Sequence, residues 1–118
     1  MGEIKDKISK VESGNNYKAV NEVKYFIYRH IRPDKNEPFY IGLGKYNYKY
    51  NTYSCFYGRA YSKSDRNNLW KKIVNKNLGK YEVEILLEEL SYEEAVEKEI
   101  EFIKLYGRIH NETGILSN

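Results

Sequence analysis

The pattern of apolar and polar positions contains two neighbouring, largely apolar runs of strand length, Tyr25–Ile31 and Pro38–Leu43. Both runs are rich in aromatic and β-branched residues, which strands prefer. Between them, Pro33-Asp34-Lys35-Asn36 has the composition of a turn, because Pro fixes φ and Asp and Asn tolerate the bend. The pattern predicts a β-hairpin.

Side chains of a strand point alternately to opposite faces, so the hairpin should have two distinct surfaces. Ile27 and Ile41 are predicted to anchor one of them. The other should carry Phe26, Tyr28, His30, Tyr40 and Gly42. An ordinary β-hairpin with amphipathic tyrosines would show the same alternation.

Further along, apolar residues at helical spacing are followed by a run in which apolar and polar residues alternate. A helix over about Arg66–Asn77, capped by Ser64 or Asp65, would present Leu69, Trp70, Ile73 and Val74 on one face. A strand over Tyr81–Leu87 would place Val83, Ile85 and Leu87 on one face. The whole pattern predicts an α+β fold with a small three-stranded antiparallel sheet flanked by helices.

A carboxylate interrupts the apolar stripe of the last predicted helix. Ser91-Tyr92-Glu93-Glu94 is a capping box that should open this helix, and Gly107 should close it. Glu99 falls in the middle of the stripe formed by Tyr92, Ala95, Val96, Ile103 and Tyr106. A buried carboxylate needs a cation, a strong donor or a metal, so Glu99 is either a metal or catalytic residue or one half of a structural salt bridge.

Length and composition bound the class of protein. The 118 residues suit one domain over 24–118, preceded by a lead over 1–23 that is helical or partly disordered. Cys55 is the single cysteine, and no apolar run is long enough for a signal peptide or a membrane span. These features predict a soluble protein of a reducing compartment, the cytoplasm, with no membrane partner.

The net charge of +3 conceals a strong segregation of charge. Residues 24–80 contain 13 Lys/Arg against 3 Asp/Glu, and residues 82–101 contain 9 Glu against one Lys. An insert over 46–58 adds five tyrosines and a phenylalanine, which either stack on bases or pack as a surface loop. We therefore predict a nucleic-acid partner, with phosphate contacts from Lys45, Lys49, Arg66, Lys71 and Lys72.

Ile27-Tyr28 and Tyr40-Ile41-Gly42 resemble the two triplets that define the GIY-YIG nuclease family. Phe26 stands where that family has Gly, whereas the second triplet matches fully. The order strand, strand, helix, strand, helix resembles the family's domain throughout Tyr25–Asn118. The resemblance implies the GIY-YIG endonuclease fold and an enzyme that hydrolyses DNA, leaving a 5′-phosphate and a 3′-hydroxyl.

The resemblance also implies site residues. Tyr28, Tyr40, Arg59 and Glu99 would be catalytic, with Glu99 as the metal ligand and Arg66 as the rival of Arg59. Supporting positions would be Gly42, Lys45, His30, Tyr61, Lys63 and Asn118. The family's His or Tyr one turn after the arginine corresponds to Lys63, with Tyr61 and His30 as alternatives.

Elementary chemistry gives these residues roles. Mg²⁺ (or Mn²⁺) takes few carboxylates and keeps water ligands, which a site with the single carboxylate of Glu99 would suit. Arg59 would neutralise charge on the phosphate through its fork. Tyr28 could act as a base only if nearby cations lowered its pKa from about 10. Tyr40 and Lys45 would position or polarise the attacking water.

Two further interpretations stay open. Phe26 and Lys63 depart from the family pattern, which favours a weakly active or inactive DNA- or RNA-binding module on the same scaffold. The acidic last helix could instead be a DNA mimic or a partner surface. A homodimer is one of the ways in which so small a domain could gain sequence specificity.

Overall fold

The computed structural model describes residues 23–47 and 57–118, and it confirms an α+β fold with one three-stranded antiparallel sheet. The strands are β1 (Val23–Arg32), β2 (Glu37–Asn47) and β3 (Glu82–Leu90), in the spatial order β2-β1-β3. The lead over 1–22 and most of the aromatic insert, 48–56, lie outside the described residues.

Three helices accompany the sheet: α1 (Gly58–Tyr61), α2 (Asn68–Lys76) and α3 (Tyr92–Tyr106). The N-cap of α2 is Asn67, whose side chain accepts a hydrogen bond from the Trp70 amide. The expectation that Ser64 or Asp65 caps this helix is therefore wrong. Asp65 instead has a positive φ of 56° in the loop that leads to the cap.

The two predicted faces of the hairpin are confirmed. Phe26 and Tyr28 belong to a buried cluster on one side of the sheet. Ile27 and Ile41 belong to another, which includes Ala95 of α3. Since adjacent residues of a strand point to opposite faces, α3 covers the face of the sheet opposite to Tyr28.

The faces predicted for β3 are only partly right. Val83 and Ile85 pack against the cluster that contains Tyr28, as expected. Leu87, expected on the same face, packs instead against the cluster of Ile27. The pairing of β1 with β3 shifts register on both sides of Ile27, and such irregularities change which face a side chain meets.

The ends of α3 are as the sequence predicts. Ser91 and Glu94 form the reciprocal bonds of a capping box, and Gly107, with a φ of +69°, follows the last residue. Ala95, Ile103 and Tyr106 pack on the sheet, whereas Tyr92 is exposed and makes an edge-on ring contact with Tyr25. Among the described residues, no helix has the length and apolar character needed to cross a membrane.

Candidate active site

Tyr28 lies beneath the surface, with its phenol bound to an arginine. Its side chain is 1% exposed, and its ring lies over Gly42 of β2, where any Cβ would overlap it. The Tyr28 hydroxyl accepts a 2.8 Å hydrogen bond from Nη1 of Arg66. Burial raises the pKa of Tyr28 despite the opposing effect of Arg66 and Arg59, so the phenol keeps its proton. The condition for Tyr28 to act as a base, a lowered pKa, is not met.

Arg66 is a core residue, which corrects its expected place among surface cations that meet DNA. It is 5% exposed, and all of its guanidinium nitrogens donate within the protein. Its acceptors are the Tyr28 hydroxyl and the backbone carbonyls of Arg59 and Ser62. Its guanidinium carbon also lies 5.1 Å from the centre of the Tyr40 ring. Little of the guanidinium is left for a phosphate.

Arg59 is the arginine of this region that solvent can reach. It lies on α1 and is half-buried, with Nη1 donating to the Ser64 carbonyl at 2.8 Å and Nη2 to that of Asp65 at 3.4 Å. Its charge acts on the pKa of both Tyr28 and His30, which places it beside that cluster. Of the two arginines that the sequence left as rivals, Arg59 is the accessible one.

His30 is held as a neutral ring. Nδ1 accepts a 3.0 Å hydrogen bond from Nε1 of Trp70, so Nε2 carries the proton and donates it to the Ala60 carbonyl at 2.7 Å. The ring is fully buried. Burial, helped by the charges of Arg66 and Arg59, lowers the pKa of His30 to about 4. Both ring nitrogens make hydrogen bonds within the protein, which gives His30 a structural role.

Tyr40 joins this cluster at the outer strand of the sheet. Its ring lies 6.2 Å from that of Tyr28 and stacks on His30 at 5.6 Å. Because it is only partly buried, Tyr40 can be reached from solvent, unlike Tyr28. Tyr28 and Tyr40 therefore share one face of the sheet, as the alternation of side chains predicts, and Tyr40 is the more accessible of the two.

The remaining predicted cations are exposed but dispersed. Lys63 donates to the Gly79 carbonyl at 3.3 Å, and Tyr61 beside it is 63% exposed. Lys71 and Lys72 lie on the exposed side of α2. Lys45 alternates with Tyr46 along β2 and so lies on the face covered by α3, away from Tyr40. Lys49 lies outside the described residues.

Glu99 is half-buried and has no hydrogen bond or ion pair within the part of the chain that the structure describes. Burial raises the pKa of its carboxyl group, and no cation among the described residues opposes the effect. The structural salt bridge that the sequence left open is thus missing among the described residues. A half-buried carboxylate still needs compensation of its charge, so a divalent cation at Glu99 stays a prediction.

Glu99 and the tyrosines are attached to opposite faces of the sheet. On α3, Phe102 and Leu105 line a groove with Leu87 of β3, so that flank of the helix faces β3. At 100° per residue, Glu99 falls on the other flank, the one that carries Ile103. Glu99 therefore lies on the flank of α3 that is turned away from β3.

The C-terminal segment closes the outer edge of β2 at this point. The Ser117 amide donates to the Phe39 carbonyl at 2.7 Å. The Asn118 side chain binds Ile41 as a strand would, accepting from its amide at 2.9 Å and donating to its carbonyl at 2.7 Å. Asn67, the cap of α2, donates to the Ser117 carbonyl at 3.0 Å. Asn118 thereby holds the backbone next to Tyr40.

The side chains near Glu99 could hold a single hard cation that takes few of its ligands from the protein. No group of three or more His, Cys, Asp or Glu side chains able to hold a metal occurs in the described ranges, 23–47 and 57–118. Mg²⁺ is commonly bound through one or two carboxylates together with substrate phosphates and water. The unpaired carboxylate of Glu99 fits this mode of binding.

Sequence reasoning missed the contacts that organise the region. The bond between Tyr28 and Arg66 and the bond between His30 and Trp70 both join residues that are distant in the chain. Alternation identified the face of Tyr28 and His30, but no signal in the sequence tells a buried arginine from an exposed one. The spacing of Asn67 from Trp70 was the one local clue, since Asn is a preferred N-cap.

No protein-family model, curated protein or solved structure matches this chain.

Proposed function

We propose that this protein is a metal-dependent endonuclease that hydrolyses phosphodiester bonds of DNA and leaves 5′-phosphate and 3′-hydroxyl ends. The observation that carries the proposal is Glu99, a half-buried carboxylate whose pKa is raised by burial and which has no cationic partner among the described residues. An external cation would compensate such a carboxylate. The resemblance of the two tyrosine triplets to the GIY-YIG family supports the same function.

The site would lie at the outer strand of the sheet, β2, next to the stretch of its edge that the C-terminal segment closes. Tyr40 lies on one face of the sheet, and Glu99 is carried by α3, which covers the other face. Asn118 fixes the backbone between them through its two bonds to Ile41. A phosphate placed there could be shared between the two halves of the site.

Each side chain then has a defined task. Glu99 would hold Mg²⁺ or Mn²⁺, which supplies charge neutralisation at the phosphate and lowers the pKa of a bound water. The accessible guanidinium of Arg59 would bind the non-bridging phosphate oxygens. Tyr40 would orient the water through its hydroxyl. Tyr28, protonated and buried, would act on the site only through Arg66.

The test uses supercoiled plasmid with Mg²⁺ and a matched pair of variants on α3. Wild type should nick or linearise the plasmid, and Glu99→Gln and Arg59→Ala should each lower the rate by at least about 100-fold. Glu97→Gln makes the same change of charge on the exposed side of α3 and should retain the wild-type rate. Resealing of the products by DNA ligase would report the predicted ends.

Metal binding has its own readout. Mg²⁺ should raise the melting temperature of wild type and of Glu97→Gln, because a ligand of the folded state stabilises it, but should leave Glu99→Gln unchanged. Absence of cleavage by wild type with Mg²⁺ or Mn²⁺, or equal cleavage by Glu99→Gln, would contradict the proposal.

A second function, binding of DNA or RNA without hydrolysis, is favoured by a specific observation. The phenol of Tyr28 is buried and its pKa is raised, so one residue that the family resemblance made catalytic cannot readily meet substrate. Such a module would bind nucleic acid with a steep dependence on salt and would show no turnover with metal. The plasmid assay separates the two functions.

A further inference from the structure

Arg66 is a buried cation that has no acidic hydrogen-bond partner within residues 23–47 and 57–118. Its charge faces three aromatic rings instead, with its guanidinium carbon 5.1 Å from the ring centre of Tyr40, 5.5 Å from Trp70 and 5.6 Å from Tyr28. Burial of a charge is costly unless it is compensated, and the faces of aromatic rings compensate it only in part. Such an arrangement calls for a reason beyond packing.

The hydrogen bonds of Arg66 indicate that reason. Nη2 donates to the Arg59 carbonyl at 2.7 Å and to the Ser62 carbonyl at 2.8 Å, and Nε donates to Ser62 at 3.0 Å. These carbonyls stand at the C-terminal end of α1, a helix of four residues whose start has no side-chain cap from the described part of the chain. The last carbonyls of a helix lack partners within it, and a cation there is favourable. Arg66 therefore caps the helix that carries Arg59.

Arg59 returns the contact along the same stretch of chain. Its Nη1 donates to the Ser64 carbonyl at 2.8 Å, and its Nη2 reaches that of Asp65 at 3.4 Å. The two arginines thus bind the backbone of residues 59–66 from both ends. An isolated turn of helix is unstable in water, so the position of Arg59 depends on these hydrogen bonds from the two arginines to the backbone.

We infer that Arg66 is the positioning residue of the proposed enzyme: it caps α1 and fixes the backbone from which Arg59 meets the phosphate. The inference rests on the proposed function. Bridging the Arg59 and Ser62 carbonyls and the Tyr28 hydroxyl together requires the planar fork of a guanidinium. A lysine would keep the charge and lose the geometry.

The experiment compares Arg66→Lys and Arg66→Met with Arg32→Met. Arg32 is the matched control, since it is also a buried arginine, but it is bound to Asp34 rather than to α1. Under conditions where all variants are folded, both Arg66 variants should lower kcat by about 10- to 100-fold, the cost of a small misplacement, with little change in DNA affinity. Arg32→Met should keep the wild-type kcat.

A double variant tests whether Arg66 acts through Arg59. Arg59→Ala combined with Arg66→Lys should be no slower than Arg59→Ala alone, because the positioned group is already gone. Multiplied effects would overturn the inference. So would a loss of DNA affinity in Arg66→Lys with a smaller salt dependence, since that result would make Arg66 a phosphate ligand.

Hydrogen–deuterium exchange keeps this test separate from that of the proposed function. Peptides covering residues 58–66 should exchange faster in Arg66→Lys than in wild type, and those of β1 should not change. Unchanged exchange at 58–66 would overturn the inference whatever the cleavage assay gives. Absence of cleavage by wild type, with faster exchange in the variant, would instead overturn the proposed function alone.

Discussion

At the scale of single residues, His30 shows how a polar group was fitted into an aromatic core. Each ring nitrogen has one partner, Trp70 on one side and the Ala60 carbonyl on the other, so the neutral ring is fully satisfied. A protonated ring could not accept from Trp70 and would face the nearby charges of Arg66 and Arg59. The site therefore selects against imidazolium, and His30 ties β1 to both α1 and α2.

The lowered pKa of His30 predicts a dependence of stability on pH. In the unfolded chain the ring takes up a proton near pH 6.5, whereas in the folded protein it does so only near pH 4. The contribution is complete above about pH 6.5 and is lost as pH falls towards 4, by about 3 kcal/mol. Urea titrations at pH 7, 5.5 and 4 should show this fall in the free energy of unfolding.

The variant His30→Gln isolates the effect, because an amide does not titrate. The difference between wild type and His30→Gln should shrink as pH falls from 6.5 to 4. Other groups act equally in both proteins: Glu99, whose pKa is raised, has the opposite sign, and Asp34, whose pKa is held low by Arg32, acts at lower pH. His110→Gln, at an exposed position, is the control and should follow wild type. A constant difference would refute the argument.

At the scale of elements, the hairpin depends on two aromatic rings that lie over two glycines. Tyr28 is paired with Gly42 and Phe26 with Gly44 across the strands, and a Cβ at either glycine would overlap the ring opposite. Glycine in a strand commonly marks such a close approach. The last residue of the Tyr40-Ile41-Gly42 triplet thus has a packing reason, independent of any chemistry.

Gly42→Ala should therefore destabilise the protein by about 1–3 kcal/mol, as overpacking of a core does. Because the added methyl group displaces the Tyr28 ring, the bond to Arg66 should weaken and cleavage should slow as well. Gly58→Ala is the control: no atom of the described residues lies within 4 Å of its added Cβ, and alanine favours a helix. Urea denaturation at pH 7 measures both, and equal stability of the two variants would contradict this account.

How far the sequence predicts these elements depends on how local their causes are. The hairpin and the capping box at Ser91 follow from composition and spacing, and both are present, as are Ala95, Ile103 and Tyr106 of the predicted stripe of α3. The face of Leu87 was mispredicted, because a shift of register between β1 and β3 is decided by the packing of two distant strands.

The candidate site was less predictable than the fold, since its geometry depends on contacts between distant residues. The helical wheel singled out Glu99, and the structure half-buries this carboxylate without a partner in the described part of the chain. The wheel gave no information about which face of the sheet α3 covers. Likewise, the sequence predicts Arg66 to be a surface cation, whereas in the structure it is buried and bound to Tyr28.

At the scale of the whole molecule, the sheet separates the charges that the sequence segregates along the chain. Trp70 joins α2 to His30, on the same face as Tyr28, so the exposed lysines of α2 lie on that side. The glutamates of α3 lie on the other. A polyanion should therefore approach the α2 side and be repelled by the α3 side.

This asymmetry predicts how binding of DNA depends on salt. Replacing Lys71 and Lys72 together by Gln should flatten the slope of log K against log salt by up to about 1.8, since each lost phosphate contact removes about 0.9. The control, Glu93→Gln with Glu97→Gln on the acidic side, should keep the wild-type slope. Fluorescence anisotropy with a duplex at several salt concentrations measures both.

The result would bear on the two proposed functions differently from the cleavage assay. Both functions need a basic face, so an unchanged slope in the lysine variant would remove the α2 side as the DNA interface of either one. A flattened slope with no cleavage by wild type would leave a nucleic-acid-binding module. A flattened slope with Mg²⁺-dependent cleavage lost in Glu99→Gln would place binding and hydrolysis on two faces that meet at the edge of β2.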